Sequence, residues 1–179
     1  IRVTLLISVH SFHYSHKRNM TAKGFEAELL QCQRTHEWDT YIDYGRLKAF
    51  LKECLRRRRI HREQQNEADH SMLAVARIQL ALDERYAFCN ALQDEICRVS
   101  AYYHTLILPK VRQLVDSFDL IAQNEIEEAA IYCVVNSITI RQILLRYDGY
   151  RVSHHGLPLD PAQFDTFQLD ELFQLSETL

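Results

Sequence analysis

The sequence predicts an all-α fold: an N-terminal helical hairpin packed on a bundle of two long helices, with a short C-terminal helix. Two observations carry this. Across 179 residues there are only 4 glycines and 3 prolines, too few for the turns of a sheet-rich fold or for glycine-rich phosphate loops. Apolar residues also recur at steps of three and four over long stretches, the period of a half-buried helix. At this length the chain can bury a core of its own.

The elements follow in order. Residues 23–33, "KGFEAELLQCQ", carry strong helix formers with Phe25, Leu29, Leu30 and Cys32 as apolar positions, and "RTHEW" breaks the pattern. Asp43 is a fitting N-cap for a second helix that opens at Tyr44. Tyr44, Leu47, Leu51 and Leu55 then form its apolar stripe. Residues 68–108 contain neither Gly nor Pro. There Leu73, Ala76, Leu80, Phe88, Leu92, Ile96, Val99, Tyr103 and Leu106 mark a long helix that Pro109 kinks or ends. "KVRQLVDSFDLIAQ" is read as its continuation. The closing helix shows Ile126, Ala130, Cys133, Ser137, Ile140, Leu144 and Tyr147, with Gly149 as its stop. "HHGLPLDP" is a loop, and "QLDELFQL" a last short helix. Met20 is the expected natural start, so residues 1–19 are read as an upstream leader and 20–179 as the domain.

Charge and cysteine content narrow the function. The formal net charge is -3, whereas a nucleic-acid binder carries a basic excess. The run Arg56–Arg59 reads as a solvated helix end, where cations are favoured, over a phosphate-binding patch. The 5 cysteines stand singly, as buried thiols of a reducing, cytoplasmic compartment. No stretch reaches the roughly 18 apolar residues of a membrane span. No nucleotide-binding, nucleophile-elbow or zincin motif occurs, and no catalytic dyad can be picked out, so no enzyme is expected. His10, His13 and His16 share a helical face, but no carboxylate or thiol completes a metal site; His154 and His155 are expected in a solvent-facing loop.

Three stretches, in order, resemble the SPX domain, a helical module of eukaryotic phosphate homeostasis. They are "EWDTYIDYGRLK" from Glu37 to Lys48, "F-x-x-x-L-x-x-EI-x-x-V-x-x-YY" from Phe88 to Tyr103, and "N-x-x-x-IRQILLRYD" from Asn136 to Asp148. The first is the specific one. The resemblance implies a cytosolic sensor of inositol polyphosphates and pyrophosphates that needs no cofactor. It would act on a fused transporter, exporter or polyphosphate polymerase domain, or on a partner protein. It implies a site on the N-terminal segment, second helix and closing helix, with Lys23, Tyr44, Lys48 and Arg146 as phosphate ligands. Elementary chemistry agrees for Tyr44 and Lys48: they lie four apart, so a hydroxyl and an ammonium converge on one outward face. Tyr44 also falls in a first turn, whose free amides favour an anion.

The closing helix departs from the family. Four lysines are expected where Gln142, Leu145, Arg146 and Gly149 stand, and only Arg146 keeps a cation. Arginine is a capable phosphate ligand through its donor fork. At about 1–2 kcal/mol for each exposed phosphate contact, the other three changes cost about a hundredfold in affinity or more. Lys52, Arg141 and Arg151 are nearby cations that restore part of the charge. The alternative is a helical protein-interaction module with a degenerate anion site, which Leu145 at a lysine position favours.

Overall fold

A computed structural model describes residues 27, 29–31, 34, 40–64, 70–117, 121–153 and 159. They form helices α1 (Tyr44–Gln64), α2 (His70–Tyr102), α3 (Leu108–Asp116) and α4 (Ala122–Ser153), with a π-helical turn, Tyr103–Ile107, between α2 and α3. Among the described residues there is no strand, so the all-α class holds. Of the expected first helix, residues 27 and 29–31 are described and helical; Arg34, where the break was expected, is helical too. Its remainder, the boundary at residue 20, the "HHGLPLDP" loop apart from Leu159, and the C-terminal helix lie outside the described residues.

α1 starts where its cap dictates. The Asp43 carboxylate accepts from the Arg46 amide at 2.8 Å, and the Asp43 carbonyl accepts from the Leu47 amide at 3.1 Å. Tyr44, Leu47 and Leu51 are buried as expected, but Leu55 is 42% exposed and Cys54 takes the core position. The step from Leu51 to Cys54 is three residues, and the stripe turns with it.

Among the described side chains of α2 the core stripe begins at Glu84 and continues through Phe88, Leu92, Ile96 and Val99; Ala76 is exposed, Leu80 is half-buried, and the Leu73 side chain lies outside the described residues. Each buried side chain of this size contributes about 1.5–3 kcal/mol. Pro109 neither ends the helix nor leaves its register intact. It cannot donate to the carbonyl four residues back, and its ring crowds that carbonyl. The chain answers with a π turn, in which the Leu108 amide reaches the Tyr103 carbonyl five residues back. The extra residue moves the core face on by one, so Ile107 is buried and Leu106 is exposed.

The helical run ends at Asp116 rather than continuing to Gln123. Ser117 caps it, its amide donating to the Gln113 carbonyl at 3.1 Å and its hydroxyl to the Leu114 carbonyl at 3.1 Å. α4 is buried on nearly all sides. Asn136 and Thr139 are in the core while Ser137 is half-buried. Its segment Ala122–Tyr150 is long and apolar enough to cross a membrane, with hydropathy 1.2, which a search for an uninterrupted apolar run overlooks. Of that window, 61% is buried inside the protein, the pattern of a core helix. Gly149 is not a stop: the helix runs through it to Ser153.

Two compact units are formed, with divisions inside α2 after Cys97 and inside α4 after Ile138. In the unit holding Arg98–Ile138 and the segment ending at Tyr41, the fully buried Tyr132 is the centre. Its ring lies 5.2 Å from Tyr41, 6.1 Å from Tyr102 and 6.4 Å from a stacked Tyr103. Its hydroxyl is shared between the carbonyls of Thr40 at 2.7 Å and Val99 at 3.0 Å. The unit holding Ile42–Cys97 and the helical residues from Thr139 onward contains the motif residues Tyr44, Lys48 and Arg146.

Candidate anion site on the second unit

α1 and α2 contact in reverse order, Arg46 to Glu95, Phe50 to Phe88 and Arg58 to Glu84, so they run antiparallel. α4 joins them through Tyr147, whose ring stacks on Phe88 at 4.7 Å. This packing brings two distant motifs together. Arg146 Nε donates a short hydrogen bond to the Tyr44 hydroxyl, 102 residues away, and its guanidinium lies 5.5 Å over the Tyr44 ring. Among the described residues neither Nη group of Arg146 has a hydrogen-bond partner.

Tyr44 does not face outward as expected. It is 4% exposed, because the apolar stripe of α1 begins with it, and its hydroxyl serves Arg146. Lys48, one turn further along α1, is half-buried and itself engaged. Lys23 lies outside the described residues. On α4, Arg141 and Gly149 are exposed, Gln142 is half-buried, and Leu145 is 59% exposed. Lys52 is exposed on α1, and the Arg151 side chain lies outside the described residues.

The first turn of α1 is not an open anion site. The amides of Tyr44, Arg46 and Leu47 are taken by the Ile42 carbonyl and the two Asp43 acceptors. The Asp43 amide donates to buried Glu95 at 3.0 Å, and Glu95 also holds Arg46 at 3.1 Å. Two carboxylates therefore already occupy the positive end of the helix dipole. What remains for an anion are the Nη groups of half-buried Arg146, with Lys48 one turn along α1 from the Tyr44 that Arg146 contacts.

A second polar cluster was missed by the sequence reading. Glu84, 7% exposed, accepts at one oxygen from Arg58 Nε at 2.5 Å and from the Tyr150 hydroxyl at 2.5 Å. The Arg58 guanidinium also lies 4.9 Å over the Tyr150 ring. Burial, then the hydrogen bond to Glu84, push the Tyr150 phenol upward. The run Arg56–Arg59 is thus not uniformly solvated: Arg58 turns inward, while Arg56 and Arg57 grip Glu53 and hold its carboxyl down at about 2. The signal was present in sequence, since Glu84 sits four residues before Phe88 in the apolar register of α2.

The four described cysteines are free thiols. Burial pushes Cys54 up to about 11 and Cys133 up to about 12, so neither is poised as a nucleophile. Among the described residues no group of three or more His, Cys, Asp or Glu could hold a metal. The two histidine groups noted in the sequence lie outside the described residues. No family model, curated protein or solved structure matches the chain.

Proposed function

We propose that this chain is an SPX-like regulatory domain that binds an inositol polyphosphate or pyrophosphate and passes that signal to a fused transporter or enzyme domain or to a partner protein. The observation that supports it is the contact between Tyr44 and Arg146. Two of the three stretches that carry the resemblance, far apart in sequence, meet at one place. In this reading Tyr44 is a positioning residue: its hydroxyl engages Nε and aims the remaining guanidinium donors outward. Arg146 and Lys48 are the phosphate ligands. No catalytic residue and no cofactor belong to the proposal.

Titration calorimetry with inositol hexakisphosphate and a pyrophosphorylated form, near physiological salt, tests it. Micromolar binding that falls about tenfold or more in both Lys48→Ala and Arg146→Ala is expected. Absence of binding up to millimolar ligand, from a folded sample, refutes it. A second reading, a protein-interaction module, draws on the occupied amides of α1 and on Leu145, exposed where the family carries a lysine. That outcome of the titration would favour it.

A further inference from the structure

Glycine inside a helix is destabilising, because it gives up more backbone freedom than any other residue and packs no side chain. α4 nevertheless runs through Gly149 to Ser153. Sterics do not call for glycine there: the residue is exposed, and a Cβ would meet nothing within 4 Å. One turn of helix, residues 150–153, therefore lies beyond a point of low helix propensity. What holds that turn is its first residue.

Tyr150 is the one described side chain of α4 beyond Gly149, and it is buried. Its hydroxyl donates to Glu84 on α2 at 2.5 Å, and its ring lies 4.9 Å from the Arg58 guanidinium of α1. One side chain thus fastens the turn to both neighbouring helices. The fastening can be undone without stranding a charge. Arg58 Nε and the Tyr150 hydroxyl share the same Glu84 oxygen. When Tyr150 leaves, Arg58 still compensates the buried carboxylate, so the large penalty of a lone buried charge does not arise. On the other side of Gly149 the helix is held separately: Tyr147 stacks on Phe88, and Arg146 engages the Tyr44 hydroxyl.

We propose that the last turn of α4 is a conformational switch, hinged at Gly149 and latched by Tyr150 onto the Arg58–Glu84 pair. Closed, it sets where the chain leaves α4 after Ser153. Open, it releases that exit while the α1–α2 pair and the Tyr44–Arg146 contact persist. Hinges are commonly a few residues at the end of an element, and weakly anchored ends open at the lowest cost. The switch does not rest on anion binding, since Arg146 precedes the hinge.

Native-state hydrogen exchange of the whole chain, followed residue by residue in rising sub-denaturing urea, tests it. The amides of Arg151, Val152 and Ser153 have their helical acceptors at Tyr147, Asp148 and Gly149, so they report the turn. They should exchange at least about a hundredfold faster than the amide of buried Leu92, with little response to urea, as local opening does. Tyr150→Phe keeps the ring and removes the hydroxyl, and should speed their exchange about tenfold. Gly149→Ala should slow it several-fold. Circular dichroism checks that both variants stay helical. Exchange of these amides at the rate and urea dependence of Leu92 overturns the proposal, because the turn then opens only with the whole protein. Indifference to Tyr150→Phe overturns it as well, leaving a helix end that frays without a latch. So does indifference to Gly149→Ala, which would place the hinge elsewhere.

Discussion

The unit around Tyr132 and the unit around Glu84 both bury polar atoms among aromatic rings, yet they satisfy those atoms differently. Tyr132 is surrounded by Tyr41, Tyr102 and Tyr103, and its one hydroxyl proton goes to backbone carbonyls. Asn136, also fully buried, gives its amide to the Tyr132 carbonyl at 2.9 Å. The described side chains buried in that centre are neutral; the guanidinium of exposed Arg98 reaches it from outside, donating to the Tyr41 carbonyl at 2.6 Å. The other unit sets a carboxylate against a guanidinium below the surface, Glu84 with Arg58, and holds the entry to α1 with a second buried carboxylate, Glu95. A neutral hydrogen bond contributes about 1 kcal/mol and costs little more when lost, whereas a buried charge deprived of its partner is strongly unfavourable. The second unit is therefore the more sensitive to single substitutions.

The largest expected effect breaks that comparison at Glu84. Glu84→Ala leaves Arg58 uncompensated and the Tyr150 hydroxyl without its acceptor, and should cost about 3–5 kcal/mol in urea unfolding. Replacing the pair together, Glu84→Leu with Arg58→Met, should recover most of the loss. If the double variant is no better than the single one, the pair is not the source of the sensitivity.

Alkali probes both units at once. The thiols of Cys54 and Cys133 and the phenols of Tyr132 and Tyr150 are all raised by burial, so the folded chain keeps protons that the unfolded chain releases. Their stabilisation is complete below pH 9 and is lost as pH climbs toward the folded values of about 11 and 12 for the thiols. Urea midpoints should hold steady up to pH 9 and decline above it, where the thiol reference value lies. A midpoint that rises with alkali would contradict the burial of these groups.

Tyr132→Phe should be milder, about 1–2 kcal/mol, because it removes one neutral hydroxyl and keeps the ring packing. Equality with Glu84→Ala would erase the contrast between the units. The smallest effect is a gain. A Cβ at Gly149 meets nothing within 4 Å, so Gly149→Ala should stabilise α4 by about 0.5–1 kcal/mol and raise the thermal midpoint by a few degrees. A loss would mean that the glycine is needed for something other than helix geometry.

The helices themselves were legible. The stripe from Phe88 to Tyr103, the cap at Asp43 and the buried face of α4 at Ile126, Ala130, Cys133, Ile140 and Tyr147 all stand where periodicity placed them. Periodicity works there because a helix fixes which side chains share a face, and the core then selects that face. It failed at Leu106, where Pro109 inserts an extra residue into the register, and at Gly149, where no cap forms because the helix does not end. Cap and breaker residues state what a chain permits; the packing of the rest decides whether it is used.

For the candidate site, a resemblance read from the sequence brought Tyr44, Lys48 and Arg146 to notice, and of the four closing-helix positions at which it implies lysine only Arg146 carries a cation. Tertiary structure decided that Tyr44 is buried, that Arg146 reaches its hydroxyl, and that the Tyr44, Arg46 and Leu47 amides at the start of α1 are already taken. It also turned one arginine of four inward to a buried carboxylate. Local spacing constrains neighbours on one helix. Which charge meets which across helices depends on crossing and register, quantities set only when the whole apolar surface is buried at once.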